Sequence, residues 1–255
     1  MSRSRNRIFL KVLAFIVALS LLAVGWLVYS TEANLANPTA DALAALSDDE
    51  VVGVDSSDWL VLQPVTVTPT AGLILYPGAN CDIRGYAPVL RKIAAAGYLV
   101  VAMAMPFDLA IFAPNRADDV RAEFPQIREW VVAGHSLGGV VASRYAFQHQ
   151  DDLAGLILWD SYPAETNSLA DSSLPVMHIH RAMPDGRPAS KFIDKRHLFP
   201  VDAQWVPVPG GMHMYFGSFD GGGYTEEWEP GISRDAQHEL VVAAMLQAFA
   251  QMSSQ

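Results

Sequence analysis

WVVAGHSLGGVVASRYAF, residues 130–147, decides the fold. WVVAG is short, apolar and partly β-branched, which predicts a strand. The residues from about Gly138 to His149 carry a helical pattern. Between them sits GHSLG, a G-x-S-x-G element in the strand–turn–helix context that gives such an element meaning. Gly134 and Gly138 allow neighbouring chain to crowd against a serine held in strained backbone geometry, and Gly139 adds room where the helix passes the sheet. Such a turn lifts the Ser136 hydroxyl above the sheet. It also sets the Leu137 amide at a helix start, where its N–H and the helix dipole suit an oxyanion.

Outward from this element the chain alternates. WLVLQPVTV (59–67), GLILY (72–76), YLVVAMAM (98–105), AGLILWD (154–160), PVMHIHR (175–181) and QWVPV (204–208) predict strands. GYAPVLRKIAAAG (85–97), NRADDVRAEF (115–124) and ISRDAQHELVVAAMLQAFA (232–250) predict helices, the last with Ser233 as its cap. Nearly continuous apolar strands separated by helices imply an α/β fold, a mostly parallel central sheet with helices on both faces. In such sheets functional groups gather in the loops at the carboxyl ends of the strands.

A serine needs a base, and the chain order expected for this element is Ser, then Asp or Glu, then His. His213 follows the last strand in a glycine-flanked loop, GGMHM, and is the candidate base. His178 and His180 share one face of a strand, which suits packing better than a zinc pair because no third ligand is apparent. For the acid, Asp185 is favoured on strand order, with Asp160, directly after LILW, as the alternative. The bland role of Asp185 is a turn residue in Pro-Asp-Gly. The second oxyanion donor is expected from the loop after an earlier strand; in LYPGAN this is the Ala79 amide, with Gly78 permitting close approach. Cys81, the sole cysteine, is expected in the pocket wall or buried, and no intrachain disulfide can form.

The amino terminus has a different character. MSRSRNR precedes IFLKVLAFIVALSLLAVGWLVY (8–29), a span of bilayer-crossing length behind a basic flank. The expected organisation is a cytoplasmic flank at 1–7, a transmembrane signal-anchor helix at 8–29, a linker with a short helix at 30–58 and one domain at 59–255. The domain would lie on the extracytoplasmic side of the cell membrane. A cleaved signal peptide is the alternative, although Thr31-Glu32-Ala33 matches a small-x-small site poorly. Four of the 17 basic residues lie in the first 11 positions, whereas all 27 acidic residues lie beyond them. The rest of the chain is therefore strongly acidic and repels phosphate backbones, which argues against nucleic acid as a partner.

The segments LYPGANCDIRGYAPVLRKIAAAGYLVV, MPFDLAIF, VVAGHSLGG, GLILWDSYP and GGMHMYFGSF resemble the dienelactone-hydrolase-like branch of the α/β-hydrolase superfamily, over about residues 41–250. The resemblance implies an α/β-hydrolase fold and a catalytic triad of Ser136, Asp185 and His213, with no metal or organic cofactor. Four departures stand out. The usual Tyr-Pro-Gly-Gly is here Tyr76-Pro77-Gly78-Ala79, and HRAMPDG before the acid is one residue longer than usual and lacks its glycine. Met212 replaces an Asn before the histidine, and the acidic glycine loop has become FDGGGYTEEW. The expectation is a membrane-anchored serine hydrolase acting on small-molecule acyl substrates: carboxylic esters, thioesters or lactones. An acyltransferase and a non-catalytic binding protein of the same fold remain the alternatives.

Overall fold

The structure, a computed structural model, describes residues 2–252, with side chains from residue 8 onward. The basic flank expected at residues 1–7 thus falls outside the described side chains. In chain order the elements are helix α1 (Ser2–Ala33), strand β1 (Ala36–Pro38), helix α2 (Ala40–Ala44) and strands β2 (Val52–Asp55), β3 (Leu60–Pro64) and β4 (Ala71–Tyr76). Helix α3 (Ala87–Ala95), β5 (Leu99–Ala102), α4 (Ala117–Glu123), β6 (Glu129–His135), α5 (Leu137–Gln148) and β7 (Gly155–Trp159) follow. The chain ends with β8 (Val176–Ala182), α6 (Ser190–Asp194), β9 (Gln204–Pro209), β10 (Phe219–Gly221) and α7 (Arg234–Met252).

Eight strands form one sheet in the order β2-β3-β5-β4-β6-β7-β8-β9. The β2–β3 and β3–β5 pairs are antiparallel, and every pair from β5 through β9 is parallel. Alternation along each strand supplies both faces. Leu73 and Leu75 of β4 join Val131, Ala133, Ile157 and Trp159 under α3 and α7. Ile74 and Tyr76 join Val132, Leu156 and Leu158 under α4 and α5, against Val120, Val141 and Tyr145. With both faces covered, the parallel strands read as continuous apolar runs.

The stretch expected to be a linker, 30–58, holds the short helix but does more than link. Its β2 is the edge strand of the main sheet, and its β1 pairs with β10 in a separate two-stranded ribbon. Three-residue and four-residue strands are too short to give a period-2 signal, and the partner of β1 is distant in sequence.

Helix α1 contains Ile8–Ala33, a stretch long and apolar enough to cross a membrane by length and composition. From Ile8 to Trp26 its side chains are exposed all round rather than packed on the sheet.

The two histidines of β8 pack among aromatic rings. His178 is fully buried against Phe192, Phe199 and Trp205, and neither ring nitrogen has a hydrogen-bond partner. Burial, reinforced by His180, pushes its pKa well below the usual histidine range. The unfolded chain takes up a proton at this residue below about pH 6.5 and the folded chain does not, so the protein loses stability as pH falls. For one such group the loss reaches about 2 kcal/mol at pH 5. His178→Leu should therefore flatten the decline of Tm between pH 7 and pH 5, read by circular dichroism melts. An unchanged slope would contradict this account of the buried ring.

Candidate active site

Four loops at the carboxyl ends of the parallel strands converge. Ser136, between β6 and α5, adopts φ 52° and ψ −124°. This is left-handed backbone, which a non-glycine residue accepts only when its surroundings hold it there. The holding contacts are explicit. The Ser136 amide donates to the Trp159 carbonyl at 3.1 Å, and the Ser161 hydroxyl donates to the Ser136 carbonyl at 2.6 Å. Backbone crowding explains the flanking glycines: a methyl group on Gly134 would run into the Gly138 carbonyl, and one on Gly138 into the carbonyls of Tyr76 and Pro77.

His213 lies in the loop after β9. Its Nε2 is 2.9 Å from Ser136 Oγ, and its Nδ1 is 2.5 Å from Asp160 Oδ2. An ionised carboxylate only accepts, so Nδ1–H donates to Asp160 and Nε2 is left to accept from the serine hydroxyl. Burial alone would penalise charge on Asp160. The hydrogen bond and charge of His213, with Arg181 and Lys191 nearby, outweigh that penalty and hold the carboxyl well below the usual carboxylate range.

The acid beside His213 is thus Asp160, the alternative, and the favoured Asp185 is elsewhere. Asp185 sits in an exposed turn after β8, where the Gly186 amide donates to the Met183 carbonyl at 2.7 Å. Its carboxylate accepts from the Arg187 amide at 3.1 Å and from Arg187 Nε at 2.6 Å. It has the plain role of a Pro-Asp-Gly turn residue. The reason lies in strand order. Strand β7 adjoins β6, so an acid at the end of β7 stands beside the serine turn, whereas the chain around Asp185 closes on itself, the Met183 amide donating to the Arg187 carbonyl at 2.8 Å.

A buried charge network that the sequence did not announce surrounds this pair. Arg181, at the end of β8, has a side chain without solvent exposure. Its backbone amide donates to Asp160 Oδ1 at 3.0 Å, and its Nε lies 3.1 Å from Asp160 Oδ2 in an ion pair without hydrogen-bond alignment. The two terminal nitrogens donate to Glu226 at 2.9 Å and to Glu227 at 2.7 Å. Glu226 in turn accepts from the backbone amides of His213 at 3.0 Å and Met214 at 2.8 Å. From the other side Gln237 of α7 clamps Met212, accepting from its amide at 2.8 Å and donating to its carbonyl at 2.9 Å. Tyr224 stacks on the His213 ring with centroids 4.0 Å apart. The FDGGGYTEEW stretch therefore fixes the histidine loop.

His135, next to the serine, ties two loops together. The His213 carbonyl can only accept, so His135 Nε2–H donates to it at 3.1 Å. Its Nδ1 then accepts from the Tyr86 hydroxyl at 2.9 Å, and the Tyr86 oxygen accepts from the Gly78 amide at 2.9 Å. Burial drives the His135 pKa well below the usual histidine range, consistent with this neutral tautomer.

The Ala79 loop borders the same cavity as Ser136 and His213, a space of about 230 Å³ also lined by Asn34, Ala36, Cys81, Met214 and Tyr224. Among the described residues neither the Ala79 nor the Leu137 amide has a hydrogen-bond partner, so both are free to donate. Cys81 is buried, and burial pushes its thiol up to about 12, which leaves it protonated and unreactive. A roomier cleft of about 620 Å³ lies at the antiparallel edge, between Trp59, Arg116 and Glu123, and its lining residues include no histidine.

The sheet, the serine turn and the histidine loop define a hydrolase-type α/β scaffold, and the family model described as "Alpha/beta hydrolase family" matches residues 72–239. The chain belongs to the alpha/beta hydrolase family. Among solved structures it is similar to Est1E from Butyrivibrio proteoclasticus, with TM-score 0.54, 15% identity, and coverage of 78% of this chain and 99% of that one. A membrane phospholipase A, described as a novel bacterial virulence factor, gives TM-score 0.54 at 14% identity, covering 94% of this chain and 99% of that one. A soluble variant of monoglyceride lipase from Saccharomyces cerevisiae gives 0.53 at 12% identity, covering 81% and 97%. Identities this low carry the fold and no more. No curated protein matches the sequence.

Proposed function

We propose that this chain is a membrane-anchored serine hydrolase that cleaves carboxylic esters through an acyl-enzyme on Ser136. The observation that carries the proposal is the continuous hydrogen-bonded line Ser136–His213–Asp160, at 2.9 Å and 2.5 Å. His213 Nε2 takes the hydroxyl proton as Ser136 Oγ attacks the acyl carbonyl carbon. Asp160 holds the ring in the tautomer that leaves Nε2 free, and stabilises the imidazolium that forms. The amides of Ala79 and Leu137 take the oxyanion. As the tetrahedral intermediate collapses, the imidazolium returns its proton to the leaving alkoxide. Water, deprotonated by the same nitrogen, then releases the acid and restores the serine.

An esterase, a phospholipase and a lipase among the structural neighbours support ester bonds as the substrate class. The likeness to the dienelactone-hydrolase-like branch extends through the GHSLGG and GG-x-H segments and stops at the acid. Thioesters and small lactones follow from the same chemistry. The apolar span Ile8–Ala33 supports the anchor, and the basic residues before it support an extracytoplasmic domain. A non-catalytic binding role fits poorly with a buried, fully oriented base on a strained serine.

Short-chain p-nitrophenyl esters test the proposal, with products analysed in the presence and absence of added alcohols. The expected result is free acid as the main product in buffer, with turnover lost in Ser136→Ala. Preferential ester exchange even at low alcohol concentration would instead assign an acyltransferase.

A further inference from the structure

We infer that the catalytic cavity opens onto the leaflet from which α1 emerges, and that its substrates are amphiphilic acyl esters drawn from that leaflet rather than from water. The inference rests on the anchored-hydrolase reading above and adds the source and class of the substrate.

The geometry begins with the anchor itself. Trp26 and Tyr29, 69% and 64% exposed, mark the end of the apolar span, where aromatic rings sit at a membrane–water boundary. From Tyr29 to Asn34 is five residues, about 7 Å at the helical rise. A headgroup layer is itself roughly 5–7 Å deep, being half the difference between the whole bilayer and its hydrocarbon core. Asn34 lines the cavity that holds Ser136 and His213. One wall of the site therefore lies at headgroup depth, with no spacer between anchor and cavity.

The attachment is stitched, not loose. The Ala36 amide donates to the Asn80 carbonyl at 2.7 Å, and the Asp82 amide donates to the Ala36 carbonyl at 3.2 Å. Residues directly after the anchor are thus bonded to the loop that carries Ala79. Helix α1 also packs against Pro106–Asp108. That turn is tied to the same loop by the Asn80 amide donating to the Asp108 carbonyl at 2.9 Å.

The surface beside this junction is apolar. Phe107, Ile111 and Phe112 are 42%, 51% and 48% exposed. Phe107 and Phe112 meet edge to face at 5.7 Å, leaving one contiguous patch. Both Phe107 and Asp108 hold left-handed backbone, φ 55° and 52°, a strained arrangement that keeps an aromatic ring outside the core. Placed beside a membrane helix at headgroup depth, such a patch fits a bilayer surface. The acidic body disfavours an anionic leaflet, so the contact is apolar and suits zwitterionic lipid.

The test uses the full chain in phosphatidylcholine vesicles and two esters with one leaving group, soluble 4-methylumbelliferyl acetate and vesicle-embedded 4-methylumbelliferyl palmitate. One variant combines Phe107→Ser, Ile111→Ser and Phe112→Ser. Another inserts Glu-Ala-Ala-Ala-Lys-Ala-Ala between Tyr29 and Ser30, raising the cavity about 10 Å while nearly preserving the helix facing. We expect each variant to lose at least tenfold on the palmitate and to stay within twofold on the acetate. No loss on the palmitate, or an equal loss on both esters, overturns the inference. Wild type that cleaves acetate and not palmitate also overturns it, with the hydrolase reading intact. Wild type that cleaves neither overturns the hydrolase reading itself.

Discussion

Asp160→Asn should lower turnover of a short-chain ester about 10⁴-fold with the fold retained, because an amide at this position orients the wrong imidazole tautomer. That is roughly 5.5 kcal/mol of barrier at 1.36 kcal/mol per decade. Asp185→Asn should leave turnover within twofold, since that carboxylate sits in an exposed turn paired with Arg187. The pair of variants separates two aspartates that both satisfy the Ser–acid–His chain order. Steady-state kcat/KM at neutral pH reads the difference. Equal effects of the two substitutions, or the larger loss at Asp185, would contradict the geometry around His213.

Arg181→Met should cost about 3–5 kcal/mol of stability, the penalty for leaving buried charge without its partner. The guanidinium is enclosed and stands between Asp160, Glu226 and Glu227, at 3.1, 2.9 and 2.7 Å. Trp228 lies under it, with the guanidinium carbon 4.9 Å from the ring centroid. Methionine keeps much of the volume and removes the charge, so packing alone does not explain the loss. Glu226 also holds the amides of His213 and Met214, so activity should fall along with stability. Glu227→Gln serves as the contrast. Its carboxylate is half exposed and Arg181 keeps Asp160 and Glu226, so the loss there should be smaller than at Arg181. Urea denaturation of each variant gives the comparison, and a change below about 1 kcal/mol for Arg181→Met would contradict a network held together by this residue.

What the sequence disclosed follows from how local each signal is. The parallel sheet was legible because its strands are covered on both faces and so read as apolar runs. Ser136 was legible because its strain must be relieved within a few residues, by Gly134 and Gly138, which leaves a compact motif. His213 was legible through its glycines and its place after the last parallel strand. The sequence favoured Asp185 as the acid whereas Asp160 stands at His213, because two aspartates follow consecutive strands and only the three-dimensional neighbourhood of β6 and β7 tells them apart. Arg181 ends the strand-like run PVMHIHR, Glu226 and Glu227 lie in FDGGGYTEEW and Gln237 in the last helix, and no local pattern marks any of them for the site. Their roles come from contacts 12 to 46 residues apart in sequence, for which no short pattern exists. The ribbon of β1 and β10 escaped notice for the same reason, although it brings the segment after the anchor to the cavity wall.

The central claim is that Ser136 is an activated nucleophile, and intact mass after treatment with a fluorophosphonate probe tests it most directly. The detergent-solubilised full chain should gain one adduct. The adduct should be absent in Ser136→Ala and lost or greatly slowed in His213→Ala. No adduct on the folded wild-type chain, or an adduct that survives Ser136→Ala, would contradict the account.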